Sequence, residues 1–382
     1  MASNSIIILA IDGGGIRGII PAYILNAIET QTGRPCYQLF DMIGGTSTGG
    51  IISSGLTTPD PASNQQQPFS AAYLLNLYTN EGSKIFVAQG CDVEFCATYY
   101  ADDGNGNGIE PYLQGIVGPT TTLSSTFEAI SALPGSRVRQ MFTTGYAVNS
   151  TDQSPPNPVL GVDYGPYLFN WFDAVNNTAD DYYVWEAARA TSAAPVYFPI
   201  AHVGGETGPR SGAAERWVID GGTMSNNPAV WAVSEAFRTG LTTAISDITI
   251  ISLGTGTYPG GAGVGINNNA TDIDNVPVNG NWSQTPWVLL DMYDLEGNTN
   301  SAGTLINVIL EAVQLVSSSQ LRGLANAGLT FYRLEPVLPF NLAAMDNITP
   351  ENINALLACV QQYLQNDGAA VFNSVINLLT GR

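Results

Sequence analysis

Apolar residues in this chain alternate between short unbroken runs and longer helical repeats. Ile6–Ile11 (IIILAI) is six aliphatic residues without polar alternation, the pattern of a strand buried on both faces. The glycine-rich turn 13–18 (GGGIRG) ends it, and the period then changes. Ile19–Thr30 reads as a helix, with Pro21 tolerated in its first turn and Gly33-Arg34-Pro35 as its stop. Leu39–Ile43 is a second apolar run, ending at Gly44-Gly45, and Thr48–Gly55 resumes helical spacing in small residues. Gln140–Val148 and Ile248–Leu253 read as further core strands. Helices are expected over 71–78, 303–326, 351–365 and 369–379. The third starts clearly, with Thr349 as N-cap, Pro350 at N1 and Glu351 in the first turn. Strands alternating with helices predict an α/β fold, a three-layer α/β/α sandwich on a mostly parallel sheet. Catalytic loops then belong at the carboxyl ends of the strands, where both glycine-rich turns fall.

Three polar segments interrupt the pattern. Residues 57–68 form a proline-bearing loop, and 257–287 a long Gly/Asn/Pro-rich excursion that reads as a lid or flap. Residues 101–110 (ADDGNGNGIE) resemble a calcium loop only superficially, because the order and terminal Glu of an EF-hand are missing.

Composition narrows the partners. The 382 residues are 45 % hydrophobic, enough for one large core or two smaller ones. Twelve Lys and Arg stand against 32 Asp and Glu, a formal net charge of −20, and Lys84 is the one lysine. That field repels nucleic acid and gains nothing from anionic headgroups, so a neutral or zwitterionic substrate suits it better. Cys36, Cys91, Cys96 and Cys359 form no C-x-x-C pair and lack histidine company, which disfavours zinc. Cys91 and Cys96 are close enough for a local disulfide, although buried thiols are the preferred reading. No signal peptide precedes Ile6 and no run of 18 apolar residues exists, so a cytoplasmic protein without a transmembrane segment is expected, with non-classical export left open. The sequons at Asn149, Asn281 and Asn347 read as chance.

The candidate chemistry sits in three turns. Gly45-Thr46-Ser47-Thr48-Gly49 is a G-x-S-x-G between a strand and a helix, the pattern of a nucleophile elbow. Glycines flank the serine because a Cβ would clash in so sharp a turn, and the strained turn exposes Ser47 Oγ at a helix N-terminus. Gly13, Gly15 and Gly18 fit G-x-G-x-x-G, a pyrophosphate cradle, but Glu29, the acid in range for a ribose, falls near the end of a helix. Beside a candidate nucleophile, the N–H groups of Gly13, Gly14 and Gly15 read better as an oxyanion hole. A serine needs a base. The candidates are His202, the only histidine, and Asp220 in VIDGGTMSNNP, where Asp-Gly-Gly closes a strand.

These segments together resemble the patatin-like phospholipases: D-G-G-G-x-R-G at 12–18, G-T-S-T-G-G at 45–50, and D-G-G followed by N-N-P at 220–228. Arg189–Pro199 (RATSAAPVYFP) and Ser252-Leu253-Gly254-Thr255-Gly256 are similar to that family as well. The resemblance covers about residues 5–335, so the expected organisation is an acyl hydrolase domain at 1–335 with C-terminal helices, 336–382, packed on it. It implies a Ser–Asp dyad with Ser47 as nucleophile and Asp220 as base. Gly13, Gly14 and Gly15 then form the oxyanion hole with Arg17 beside it, Gly45 and Gly49 shape the elbow, and His202 is structural. It further implies a phospholipid, galactolipid or other acyl-ester lipid as substrate, met at a transient membrane or micelle surface, with no cofactor and no metal. The aromatic stretches Tyr164–Phe172 and Val196–Pro199 are candidates for an acyl channel or for plain core. Rival readings are a Ser-His-Asp esterase built on His202, a storage or lipid-binding protein with vestigial activity, and a nucleotide-binding protein using Gly13–Gly18.

Overall fold

The computed structural model describes residues 5–89, 99–150, 164–205, 210–258, 291–293 and 299–381. Cys91, Cys96, Asn281 and most of the 257–287 excursion lie outside them.

Eight strands form the main sheet: β1 (Ile6–Ile11), β2 (Met42–Gly45), β3 (Gln140–Ser150), β4 (Gly165–Asn170), β5 (Ala201–Val203), β6 (Arg216–Asp220), β7 (Ile248–Leu253) and β8 (Thr330–Leu334). Their order is β8-β7-β1-β2-β3-β6-β5, with β4 also paired to β3. The first five in that order run parallel, and β4, β5 and β6 pair antiparallel.

Strand β1 explains the layering. Its odd residues, Ile7, Leu9 and Ile11, enter one core with Ile20, Ile24 and Ile28 of helix α1 (Ile19–Thr32) and Ile52 of α2 (Thr48–Leu56). Its even residues, Ile6, Ile8 and Ala10, enter a second core with Ala232 and Ala236 of α4 (Ala229–Arg238) and Leu321 of α5 (Thr304–Ala325). Successive side chains of a strand point to opposite faces, so a strand covered on both must be apolar at every position. The three-layer α/β/α sandwich follows from that, as the sequence predicts. Between α2 and α4 lies α3 (Val184–Thr191), whose eight residues are all buried. Gly33 ends α1 in the left-handed conformation at φ 65°. Helices α6 (Pro350–Gln365) and α7 (Ala369–Thr380) add Leu356, Val360, Phe372 and Val375 to the first core, and Thr349 caps α6 by accepting from Asn352 N–H.

The geometry that matters most is on β3. Strand β2 pairs with its first part in parallel, ending at Gly45 opposite Thr143. Strand β6 pairs with its second part antiparallel, ending at Asp220 opposite Gly145. Because β4 occupies one edge of β3 along 142–147, β2 and β6 share the other edge, end to end. Their carboxyl termini therefore face each other across two residues of β3.

Two polar segments have local explanations. The Asp103 carboxylate accepts from the N–H groups of Asn105 and Asn107 at 2.7 and 3.1 Å, closing the 101–110 loop on itself. Glu29 accepts from Cys36 N–H and Ala71 N–H, both at 2.9 Å, so the acid that a ribose would need joins two chain segments instead.

Candidate active site

The elbow is built as its glycines require. Ser47 sits at φ 54°, ψ −123°, a conformation that costs a non-glycine residue about 1–3 kcal/mol. A Cβ on Gly45 would run into the backbone of Gly49, and one on Gly49 into the carbonyl of Ile11. Around the serine, Thr191 Oγ1 accepts from Ser47 N–H at 2.9 Å, and Thr46 Oγ1 bonds Thr144 Oγ1 and Ser225 O, each at 2.7 Å.

Asp220 meets the serine from the opposite strand. The residue is 3 % exposed. Its carboxylate accepts from Gly222 N–H at 2.6 Å and lines the same cleft as Ser47. Burial pushes its carboxyl up to about 7, against Ser47, the Gly222 N–H and the charge of Arg189, which pull it down.

The glycine loop lies beside the pair. A Cβ on Gly13 would stand 3.1 Å from Ser47 Cβ. Gly13 N–H, however, donates to Asn226 O at 3.1 Å. Of the three expected oxyanion donors, Gly14 and Gly15 are the two whose N–H groups have no partner among the described residues. Gly15 has φ +58°, and a Cβ there would collide with Met345 O, which accepts from Ile16 N–H at 2.8 Å. Arg17 braces this loop from outside the cleft. Its Nε donates to Gly14 O at 3.2 Å, its Nη1 donates to Tyr258 OH, and its guanidinium lies 5.5 Å from the Tyr258 ring centre. Burial lowers its pKa to about 10.

His202 takes no part in this constellation. It lies on the edge strand β5 opposite Trp217, stacks on that indole at 4.3 Å and shares a 2.6 Å hydrogen bond with Glu215.

An open cleft of about 690 Å³, solvent at its mouth included, ends on Ser47, Asp220, Gly14 and Gly15. Its walls are apolar: Ile51, Tyr78, Ile85, Phe86, Ile109, Tyr197, Phe198, Leu310 and Met345. Of the two aromatic stretches, Val196–Pro199 supplies Tyr197 and Phe198 to that wall. Tyr164–Phe172 does not reach it, because Tyr167, Phe169 and Trp171 are packed in the core.

The motifs give no role to four groups. Asn226 belongs to the N-N-P segment, whereas Leu310 and Met345 come from segments without a motif. Arg333 is the fourth omission. It clamps Asp12 with two hydrogen bonds of 2.9 and 2.6 Å across 321 residues. Burial pulls the Arg333 pKa down, but Asp12 and Glu335 outweigh it and hold the guanidinium protonated. Among the described residues, no three His, Cys, Asp or Glu side chains converge where a metal ion would sit, and no helix is long and apolar enough to cross a membrane.

The family model for patatin-like phospholipase matches residues 9–233, which include both halves of the Ser47–Asp220 pair and the glycine loop. Patatin-like protein 2 of Arabidopsis thaliana is 29 % identical over 239 residues, 61 % of this chain and 53 % of its own. Patatin-15 of Solanum tuberosum is 30 % identical over 241 residues, 60 % of this chain and 53 % of its own. A potato protein named probable inactive patatin-3-Kuras 1 is 29 % identical over 239 residues, 60 % of this chain and 54 % of its own. The chain thus spans about half the length of the curated relatives it matches. With its family model covering more than half of the residues, the chain belongs to the patatin-like phospholipase family.

Proposed function

We propose that this chain is a lipid acyl hydrolase that cleaves acyl ester bonds through a Ser47–Asp220 dyad and an acyl-enzyme intermediate. The observation that carries the reading is the convergence of the strained Ser47 and a buried Asp220 on one apolar cleft. A carboxylate at its ordinary pKa is a poor base at neutral pH. Burial removes that handicap by raising Asp220 to about 7.

Asp220 accepts the Ser47 proton as Oγ attacks the ester carbonyl. The oxyanion forms against Gly14 and Gly15, each N–H contributing roughly 3–4 kcal/mol. Collapse expels the alcohol, which takes the proton from Asp220, and water then hydrolyses the acyl-enzyme with Asp220 again as base. The cleft's apolar walls suit an acyl chain, so the substrate class is a phospholipid, galactolipid or other acyl-ester lipid. The acidic field favours a neutral or zwitterionic lipid surface, met transiently, and disfavours nucleic acid. The donors supply what a Lewis-acid metal supplies elsewhere, so chelation by EDTA leaves the rate unchanged.

A second reading, a storage or lipid-binding protein with vestigial esterase activity, is favoured by the relative named as probably inactive. A fluorophosphonate probe separates the two. Labelling on Ser47, located by peptide mass and lost in Ser47→Ala, supports the hydrolase. An unlabelled but folded protein supports the vestigial site.

A further inference from the structure

Asn226 borders the cleft between the two glycine segments and carries a polar atom that the dyad leaves unused. The residue is 7 % exposed. Its Nδ2 donates to Gln314 Oε1 at 3.2 Å. Gln314 Nε2 donates to Glu335 Oε1. Glu335 is held by Arg333 Nε and Nη2 at 3.1 and 2.7 Å, and Arg333 clamps Asp12, the neighbour of Gly13. Gly13 N–H returns to Asn226 O, so the partners form a closed ring.

The ring fixes which way the Asn226 amide points. A carboxylate paired with arginine accepts only, so Gln314 must turn its NH₂ to Glu335 and its carbonyl oxygen to Asn226. That oxygen also only accepts, so Asn226 must face it with NH₂ and send Oδ1 the other way. Oδ1 then lies against Gly13 and Gly222, neither of which has a side chain to cover it. A Cβ on Gly222 would stand 3.2 Å from Asn226 Oδ1 and 3.0 Å from Asp220 Oδ1. A Cβ on Gly13 would crowd Asn226 Oδ1 and stand 3.1 Å from Ser47 Cβ. A rigid acceptor without a donor among the described residues therefore faces the same small space as the base and the nucleophile. A water molecule fits that arrangement, because it has two protons and needs two acceptors to fix its attacking lone pair.

We propose that Asn226 Oδ1 and Asp220 together hold the water that hydrolyses the acyl-enzyme on Ser47. The inference rests on the dyad reading given above. The water oxygen forms a bond to the acyl carbon, one of its protons moves to Asp220, and the other stays hydrogen-bonded to Asn226. The tetrahedral species then breaks its bond to Ser47 Oγ, which recovers the proton from Asp220, and the carboxylic acid departs. Asn226 takes no proton in either step and acts by positioning.

The test uses the full chain, p-nitrophenyl butyrate and rapid mixing, with methanol as a competing nucleophile. Methanol has one hydroxyl proton and needs only one acceptor. In Asn226→Ala the p-nitrophenol burst keeps its rate, steady-state turnover falls about 10- to 100-fold as one held hydrogen bond is lost, and acyl-enzyme accumulates in the intact mass. The ratio of methyl ester to free acid rises in the same variant. If Asn226→Ala does not fold, Gln314→Leu, which frees the amide to rotate, shows the same changes at smaller size. Burst and turnover falling together, an unchanged product ratio, or a raised KM at constant kcat would overturn the proposal. The dyad reading itself fails by a different result, turnover that survives Ser47→Ala.

Discussion

Two aspartates in this protein end strands, precede glycines and are almost fully buried, yet their surroundings differ in kind. Asp12, 0 % exposed, closes β1 and is locked by the Arg333 guanidinium, which also reaches Ser252 Oγ at 2.7 Å. Asp220, 3 % exposed, closes β6 and lines the cleft with Ser47. Burial raises both carboxyls. At Asp12 the charge and two hydrogen bonds of the Arg333 guanidinium pull the other way, whereas Asp220 has a backbone N–H as its bonded partner and only the more distant charge of Arg189. The same Asp-Gly-Gly turn thus meets a guanidinium in one place and lines the cleft beside Ser47 in the other.

The largest expected effect breaks this contrast directly. Asp220→Asn lowers kcat/KM by about 10³- to 10⁴-fold, the scale of losing a positioned base, while the denaturation midpoint stays level or rises. Asp12→Asn does the reverse. It costs about 1–3 kcal/mol of stability in chemical denaturation, because two hydrogen bonds to Arg333 are lost while Glu335 still pairs it, and the protein that stays folded keeps most of its turnover. Equal effects of the two substitutions on activity would abolish the distinction.

A pH series sharpens it. The base must be ionised to work, so kcat/KM rises about tenfold per pH unit below about 7 and levels off above. Stability moves the other way. The Asp220 carboxyl of the folded protein keeps its proton up to about 7, whereas the unfolded chain releases it near the ordinary value of about 3.9. The native state is therefore destabilised as pH rises through that window, and Asp220→Asn removes this component. Urea midpoints of the two proteins that diverge steadily between those pH values are the expected outcome. The smallest effect is that of His202→Ala, which changes turnover less than about threefold because stacking on Trp217 and bonding to Glu215 keep the ring away from the dyad.

Most of what holds the site in place is local, and that part was legible in the sequence. Ile6–Ile11 and Ile248–Leu253 are strands over the residues expected, and Thr349-Pro350 begins α6 as its capping chemistry requires. Ser47 and Asp220, singled out by their motifs, line the same cleft. What stayed hidden depends on contacts between distant residues. Nothing near Asp12 announces Arg333, and nothing in the triple glycine says that the first N–H is already committed to Asn226. Both stretches are rich in aromatics, and only packing decides that Tyr197 and Phe198 face the cleft while Phe169 and Trp171 fill the core. The cleft wall also draws Met345 from a segment without a motif, since Gly15 leaves the room its carbonyl occupies.

The head-on meeting of β2 and β6 along β3 makes that strand a ruler. Gly45, two residues before Ser47, and Asp220 are both counted off against it, at Thr143 and Gly145, so their spacing comes in fixed steps. One added residue between those two would shift Asp220 by about 3.3 Å and turn its side chain to the opposite face. Lengthening the loops between these strands leaves the ruler untouched. The protein has wide tolerance for change in its connections and almost none over three consecutive residues, 143–145, that do not line the cleft.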